Sequence, residues 1–353
     1  MKNEQTVFVG LSGGVDSSVA AVRLLKQGYN VVGVFIKVWQ PDFITCNWEE
    51  ERLSAMKVAA KLDIPFLTFD AEDAYKKKVA DYFIREYSAG RTPNPDVMCN
   101  HYVKFGVFLD FALAKGADYI STGHYVQRKN DQLHRGVDAE KDQSYFLWSL
   151  SQKQLSHSLF PIGDSVKSDI RKEAEEAGLL TAEKKDSQGI CFLGQVDIFD
   201  FLSHFIELTE GDVVNEQGMT VGTHKGALVY TIGQRHGFCI DGESNNGKSH
   251  FVIGKDVTKN TITVSPEEPV LETGRKLLLT KTVWRQPLRP DESYELQYRY
   301  RQRPVPVMAA DVSDGNTTLS IATETSLPAI GQSAVVYRGT HCLGGGIIDK
   351  CQS

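Results

Sequence analysis

Over its first 200 residues the chain alternates short apolar runs with amphipathic stretches. Residues 7–9 read as a buried strand. Residues 17–27 follow as a helix, with Val19, Val22 and Leu25 or Lys26 recurring every three to four positions and Gly28 placed as a stop. The same rhythm predicts strands over 31–36, 65–69 and 119–121 and helices over 49–62, 74–87 and 103–115. Strand, helix, strand units in that order predict an α/β fold with a doubly wound parallel sheet.

After a helix over 197–208 the pattern changes: glycines and short β-prone runs replace the helical period. A boundary near residue 208 therefore separates the sheet domain (1–208) from a small β-rich middle domain (209–270), with strands over 213–214, 227–232, 251–253 and 261–264. Tyr294, Leu296, Tyr298 and Tyr300 then alternate with polar neighbours, a period of two that predicts a C-terminal β-barrel over 271–353. Three domains suit 353 residues.

Composition narrows the class. Apolar residues at 41% and charged residues at 24% exclude a disordered, collagenous or coiled-coil chain. No apolar run approaches the roughly 20 residues of a membrane helix, and the amino terminus has no signal-peptide core, so a soluble protein of the cytoplasm is expected. Six cysteines without a Cys-x-x-Cys exclude zinc ribbons and thioredoxin-like motifs and are too sparse for a disulfide scaffold. The net charge of −6 gives no overall nucleic-acid footprint. Residues 271–353 alone hold ten Lys or Arg against eight Asp or Glu. Within them Lys281, Arg285, Arg289, Arg299, Arg301 and Arg303 are interleaved with Trp284, Tyr298 and Tyr300. That stretch reads as an RNA-stacking face or as a plain solvated barrel face.

The most informative stretch is Gly10-Leu11-Ser12-Gly13-Gly14-Val15-Asp16-Ser17-Ser18, between the first strand and the first helix. Glycines let backbone amides approach an anion, and the helix start adds its positive end. It is neither a Walker A loop, for want of the lysine, nor Gly-x-Gly-x-x-Gly. Serine hydroxyls and amides suit a pyrophosphate that leaves, and Asp16 suits magnesium. A glycine turn with Ser17 as helix cap is the plainer alternative.

Two cysteines stand in displayed settings. Cys99 closes Asn94-Pro95-Asp96-Val97-Met98-Cys99, where Pro93 and Pro95 predict an extended or turn segment before a helix starting near Cys99 or Asn100, whose macrodipole favours a thiolate. Cys191 lies in a glycine-flanked segment, Gly189-Ile190-Cys191-Phe192-Leu193-Gly194. Either alone reads more readily as a small buried hydrophobe, and the Gly, Pro and Asn around both shift the reading towards reactivity.

The phosphate loop resembles the PP-loop of ATP pyrophosphatases. Seven segments together are similar to the bacterial tRNA-specific 2-thiouridylases: residues 10–18, 94–100, 122–125, 141–146, 189–194, 230–235 and 342–348. That resemblance implies ATP with Mg2+, wobble uridine of tRNA as substrate, a sulfur donor (a cysteine desulfurase or a relay protein) as partner, and a monomer. It implies Cys99 as the catalytic thiol and Cys191 as the persulfide carrier. Gly10, Leu11, Ser12, Gly13, Gly14, Val15, Asp16, Ser17, Ile36 and Gly123 would bind ATP, Ile36 standing where the family usually has methionine. Asn94, Pro95 and Asp96 would meet the target base, and His124, Lys141, Asp142, Gln143, Arg299, Tyr300 and Gln332 would meet tRNA; for His124 a core role is the alternative. An iron-sulfur cluster on Asp96, Cys99 and Cys191 is the minority reading beside the persulfide route, and Cys46 is unassigned. Rival functions are a PP-loop synthetase transferring ammonia or an amino acid, and a tRNA- or nucleotide-binding protein without catalysis.

Overall fold

The structure is a computed structural model and describes residues 4–44, 48–185, 197–242, 249–290, 292–313 and 315–352. Seven strands lie in the first half: β1 (Thr6–Gly10), β2 (Asn30–Lys37), β3 (Phe66–Asp70), β4 (Tyr119–Ser121), β5 (Val126–Lys129), β6 (Gln132–Arg135) and β7 (Ser158–Leu159). All but the β5–β6 hairpin form one parallel sheet in the order β3-β2-β1-β4-β7. Val7, Phe8 and Val9 are apolar in succession because helices cover both faces. Val7 and Val9 join helices Val15–Lys26 and Lys167–Glu176 in one core, and Phe8 joins helix Phe108–Ala114 in the other. The chain leaves β1 towards β2 and later returns to β4 on β1's other side. The carboxyl ends of β1 and β4 thus flank the switch point where such sheets bind ligands.

The helix expected over 103–115 begins earlier, at Pro95. Segments Pro95–Met98, Cys99–Val107 and Phe108–Ala114 follow without interruption, the middle one π-wound. Asn94 caps this helix by accepting from the Val97 amide, and Pro95 occupies the first position, where a missing N–H costs nothing. Cys99 therefore stands in the second turn and is fully buried (0% exposed), packed rather than displayed.

β8 (Gly211–Val214), β9 (Thr220–His224), β10 (Phe238–Ile240), β11 (Phe251–Asp256) and β12 (Thr261–Ser265) form a sheet in the order β10-β9-β8-β12-β11. The strand expected over 227–232 is instead a 3-10 turn at Ala227–Val229 and a loop. Gly226 and Gly233, at φ +136° and +85°, bend the chain so that Ala227 and Tyr230 plug this sheet's core.

β13 (Val270–Leu271) leads into the last unit, with β14 (Lys276–Trp284), β15 (Ser293–Gln297), β16 (Val305–Ser313), β17 (Asn316–Ile321), β18 (Thr325–Ser326), β19 (Ser333–Arg338) and β20 (His341–Gln352). Six of these close an antiparallel barrel, β14-β17-β16-β15-β19-β20, with β20 pairing back to β14. Glycine is required where β20 runs between two partners: a Cβ at Gly344 would stand 2.0 Å from the Val283 carbonyl, and one at Gly345 2.4 Å from that of Ala334. The β5–β6 hairpin of the first domain extends the barrel sheet through the pairing of His134 with His341.

Most of the aromatic side expected to stack between 281 and 303 faces inwards, which leaves the half-buried Arg299 and Tyr300 at its end. Tyr294, Leu296 and Tyr298 point into the barrel core, and β15 ends at Gln297, short of the predicted alternation. Arg285 is turned inwards, its Nη2 donating to the carbonyls of Leu147, Trp148 and Leu150 at 3.0, 2.9 and 3.3 Å, so it ties the barrel to the first domain. Among the described residues no helix is long and apolar enough to cross a membrane.

Candidate active site

The loop after β1 folds as its glycines predict. Gly13 takes φ +71°, and a Cβ there would lie 2.7 Å from the Glu51 carbonyl oxygen, so only glycine fits. Gly123, after β4, presses on the start of helix Val15–Lys26, where its Cβ would come within 2.6 Å of the Ser17 nitrogen. The hydroxyls stay local: Ser18 Oγ donates to the Gly14 carbonyl at 2.7 Å, and the Ser12 and Ser17 hydroxyls lie 3.2 Å apart. Ile36 lies at the end of β2 beside Gly10, with its Cδ1 3.6 Å from where a Gly10 Cβ would stand. Every residue expected to hold ATP therefore converges on the switch point.

Sequence reading missed two lysines that reach this loop from elsewhere. Lys167 donates to Asp16 Oδ1 and Oδ2 at 2.7 and 2.9 Å, and Tyr125 Oη donates to the same Oδ1 at 2.7 Å. Lys184 donates to the Gly13 carbonyl at 3.0 Å. Lys167 opens its helix, Lys167–Glu176, where a cation is disfavoured by the macrodipole. A lysine in that position asks for an acidic partner, and this was the signal available in the sequence.

A second centre forms at the start of the Cys99 helix. Asn94 is nearly buried and contacts the hydroxyl of the buried Tyr145, and burial pushes that hydroxyl's pKa far up. Asp96 is half-exposed at the same helix start. The barrel grips this segment: the Thr92 amide donates to the Ile330 carbonyl at 2.9 Å, and Gln332 Nε2 donates to the carbonyls of Thr92 and Pro93 at 3.0 and 3.2 Å. Arg299 lies next to Gly233 and donates to the Leu327 carbonyl at 3.2 Å, while Tyr300 packs on Phe146 with ring centroids 4.7 Å apart.

Between the two centres lies the 138–143 turn. Asp142 is turned inwards and accepts from Arg135 Nη1, the Gly136 amide and the Ser144 hydroxyl at 3.1, 2.9 and 2.9 Å. Gln143 also points inwards, its Oε1 accepting from the Tyr125 amide at 3.0 Å. His124 is buried against Thr122, with 2.7 Å between Nδ1 and Oγ1; desolvation first and then the nearby Lys104 hold its pKa well below the usual histidine value. Cys191 and Cys46 lie outside the described residues.

Three family models match consecutive parts of the chain: "tRNA methyl transferase HUP domain" over residues 5–195, "tRNA methyl transferase PRC-barrel domain" over 199–266 and "Aminomethyltransferase beta-barrel domain" over 274–348. The tRNA-specific 2-thiouridylase MnmA of Lysinibacillus sphaericus is 44% identical over 98% of this chain and 94% of its own. The proteins of the same name from Enterococcus faecalis and Lacticaseibacillus paracasei are 42% and 45% identical, over 98% and 97% of this chain and 95% and 94% of theirs. With a PP-loop at the switch point of a parallel sheet and this likeness along almost its whole length, the chain belongs to the tRNA-specific 2-thiouridylase family.

Proposed function

We propose that the chain carries out the 2-thiouridylase reaction in two chemical stages, on the wobble uridine of tRNA. ATP use follows from family membership. In the first stage the C2 oxygen of the uridine attacks the α-phosphorus of ATP; the bond from that phosphorus to the bridging oxygen breaks, and pyrophosphate leaves with the electron pair. Backbone amides at 12–18 and the start of helix Val15–Lys26 receive the phosphates, and Ile36 lies against the adenine. Asp16, whose carboxylate accepts from Lys167 and Tyr125, suits Mg2+, which would neutralise phosphate charge when bound. In the second stage the outer sulfur of a persulfide on Cys191 attacks C2, and AMP departs with its oxygen. Cys99 then attacks the inner sulfur, leaving the thiouridine and a Cys99–Cys191 disulfide that an external thiol reduces. A desulfurase or relay protein supplies the persulfide, and the enzyme acts as a soluble cytoplasmic monomer.

One observation carries this reading. The helix that begins at the base-reading segment Asn94-Pro95-Asp96 holds Cys99 in its second turn and runs on to Phe108, whose Cε1 lies 3.7 Å from where a Cβ on Gly10 would stand. Nine residues of this largely π-wound helix join the thiol to the phosphate loop, so one element carries both the base-reading segment and a wall of the loop. Because Cys99 is buried, entry of the flipped base must open its surroundings. Asn94 and Asp96 supply polar edges for a pyrimidine, and Lys141, Arg299 and Tyr300 the backbone and stacking contacts. Asp142, Gln143, His124 and Gln332 act from behind, by positioning these segments. The "methyl transferase" of the family descriptions has no comparable support, since the loop is built for phosphate.

Nucleoside analysis of tRNA incubated with ATP and a sulfur donor tests the reading. The parent protein yields 2-thiouridine and AMP in equal amounts, and Cys99→Ser and Cys191→Ser yield none; thiolation surviving either substitution sinks the two-thiol scheme. Iron analysis of an anaerobic preparation separates it from a cluster on Asp96, Cys99 and Cys191, the alternative route.

A further inference from the structure

We propose that Lys167 and Lys184 are the cations that hold the pyrophosphate half of ATP, replacing the lysine that the loop's own sequence lacks. The inference rests on the ATP-using reading above. A leaving pyrophosphate gains negative charge as the bond from the α-phosphorus to the bridging oxygen breaks, and amides and hydroxyls carry no full positive charge with which to meet it. Lys167 and Lys184 do. Each has its ammonium on the loop itself, Lys167 on Asp16 at 2.7 Å and Lys184 on the Gly13 carbonyl at 3.0 Å.

Their supports are built into the fold. Arg23 Nε donates to Glu173 Oε2 at 2.8 Å, and Arg23 Nη1 to the Pro161 carbonyl at 2.9 Å, so the Lys167 helix is fixed beside the helix that follows the loop. Arg171, one turn after Lys167, donates to the carbonyls of Ala182 and Lys184 at 2.6 and 3.1 Å. It thereby orders the segment from which Lys184 reaches back. Asp138 Oδ2 accepts from the Lys167 amide at 2.9 Å and caps the helix start. The Lys167 side chain is only 13% exposed, held in by its pair with Asp16. Pairing with Asp16 holds the ammonium at the loop between turnovers. An ammonium with three protons can then exchange a carboxylate oxygen for a phosphate oxygen without leaving its place.

The test measures binding by calorimetry on the full chain, with inorganic pyrophosphate and with AMP as separate probes. Lys167→Met and Lys184→Met keep the aliphatic length and remove the charge. Lys172→Met, on the same helix but 71% exposed, is the control. Loss of a charge-assisted contact predicts about a tenfold weaker pyrophosphate affinity for Lys167→Met and a severalfold loss for Lys184→Met. AMP affinity stays within about twofold, and Lys167→Arg recovers part of the loss. Unchanged pyrophosphate affinity in both methionine variants overturns the proposal. Should Lys167→Met fail to fold, Lys184→Met and Lys167→Gln still decide it, because unchanged pyrophosphate affinity in both contradicts a charged cradle. A parent chain that bound neither ATP nor pyrophosphate would overturn the ATP-using reading as well.

Discussion

Gln332 of the barrel donates its side-chain amide to the carbonyl of Thr92 at 3.0 Å, two residues before Asn94. A second bond from the same nitrogen reaches Pro93 at 3.2 Å, so the C-terminal domain positions the segment read as meeting the target base. Gln332→Ala removes both bonds and lets that segment relax. The expected result is about a tenfold fall in kcat/KM for tRNA, equivalent to one to two net hydrogen bonds, with the KM for ATP unchanged. Gln332→Glu is nearly isosteric but sets a carboxylate against two carbonyls, and should be worse than alanine. If the alanine variant matched the parent in steady-state thiolation, the barrel would not act through this contact.

Burial of Cys99 predicts its reactivity. Without tRNA, a small alkylating agent should modify the exposed Cys239 well before Cys99, with the buried Cys342 among the slowest. Burial also raises the Cys342 thiol pKa, which leaves less thiolate to react. Cognate tRNA with a non-hydrolysable ATP analogue should accelerate Cys99 and leave Cys342 unchanged. Peptide mass spectrometry over a time course reads both. Fast labelling of Cys99 in the free protein would contradict the packed position of its thiol.

Asp142 and Arg135 form a largely buried pair, with side chains 7% and 20% exposed. Arg135 also lies over the Tyr337 ring, its guanidinium carbon 3.5 Å from the centroid, and donates to Gln297 Oε1 at 3.0 Å. The pair therefore joins the first domain to the barrel. Asp142→Ala leaves a guanidinium short of its counter-charge and should lower unfolding stability by about 3 kcal/mol. Asp169→Asn, which breaks the exposed pair with Lys172, should change it by less than about 1 kcal/mol. Urea unfolding of both variants supplies the comparison, and equal effects would mean that the Asp142 network contributes no more than a surface pair.

What could be read from the sequence follows physical range. The Gly13-Gly14 loop, the apolar β1 run and the Gly28 stop are set by neighbours within a few residues, and each appears where its local chemistry puts it. Lys184 meets Gly13 across 171 residues and Lys167 meets Asp16 across 151, and no local period records such a contact. Arg285 and Tyr298 show the opposite failure. An Arg and Tyr alternation looks the same whether the aromatic side faces RNA or a barrel core, and only closure of the sheet through β14 and β20 decides it. The prolines before Cys99 suggest a helix start near the thiol, whereas Asn94 and Pro95 together make a capped start one turn earlier.

His124 predicts a pH dependence of stability. Burial, then Lys104, lowers its folded pKa well below the unfolded value near 6.5, so on acidification the unfolded chain takes up this proton first. The penalty is absent above about pH 6.5 and grows as pH falls below it, by up to about 1.4 kcal/mol per pH unit for one proton, until the folded imidazole also titrates. His101, His134, His224 and His341 are shifted in the same direction by burial and add to the parent's slope. His124→Gln removes a single contribution. Its unfolding free energy should be lower than the parent's at pH 7.5, because the bond to Thr122 is altered, yet should fall less steeply between pH 6.5 and 5.5. Urea unfolding across that range decides the matter: parallel slopes for parent and variant would show that His124 titrates normally in the fold, and would return it to the groups able to meet RNA as a cation.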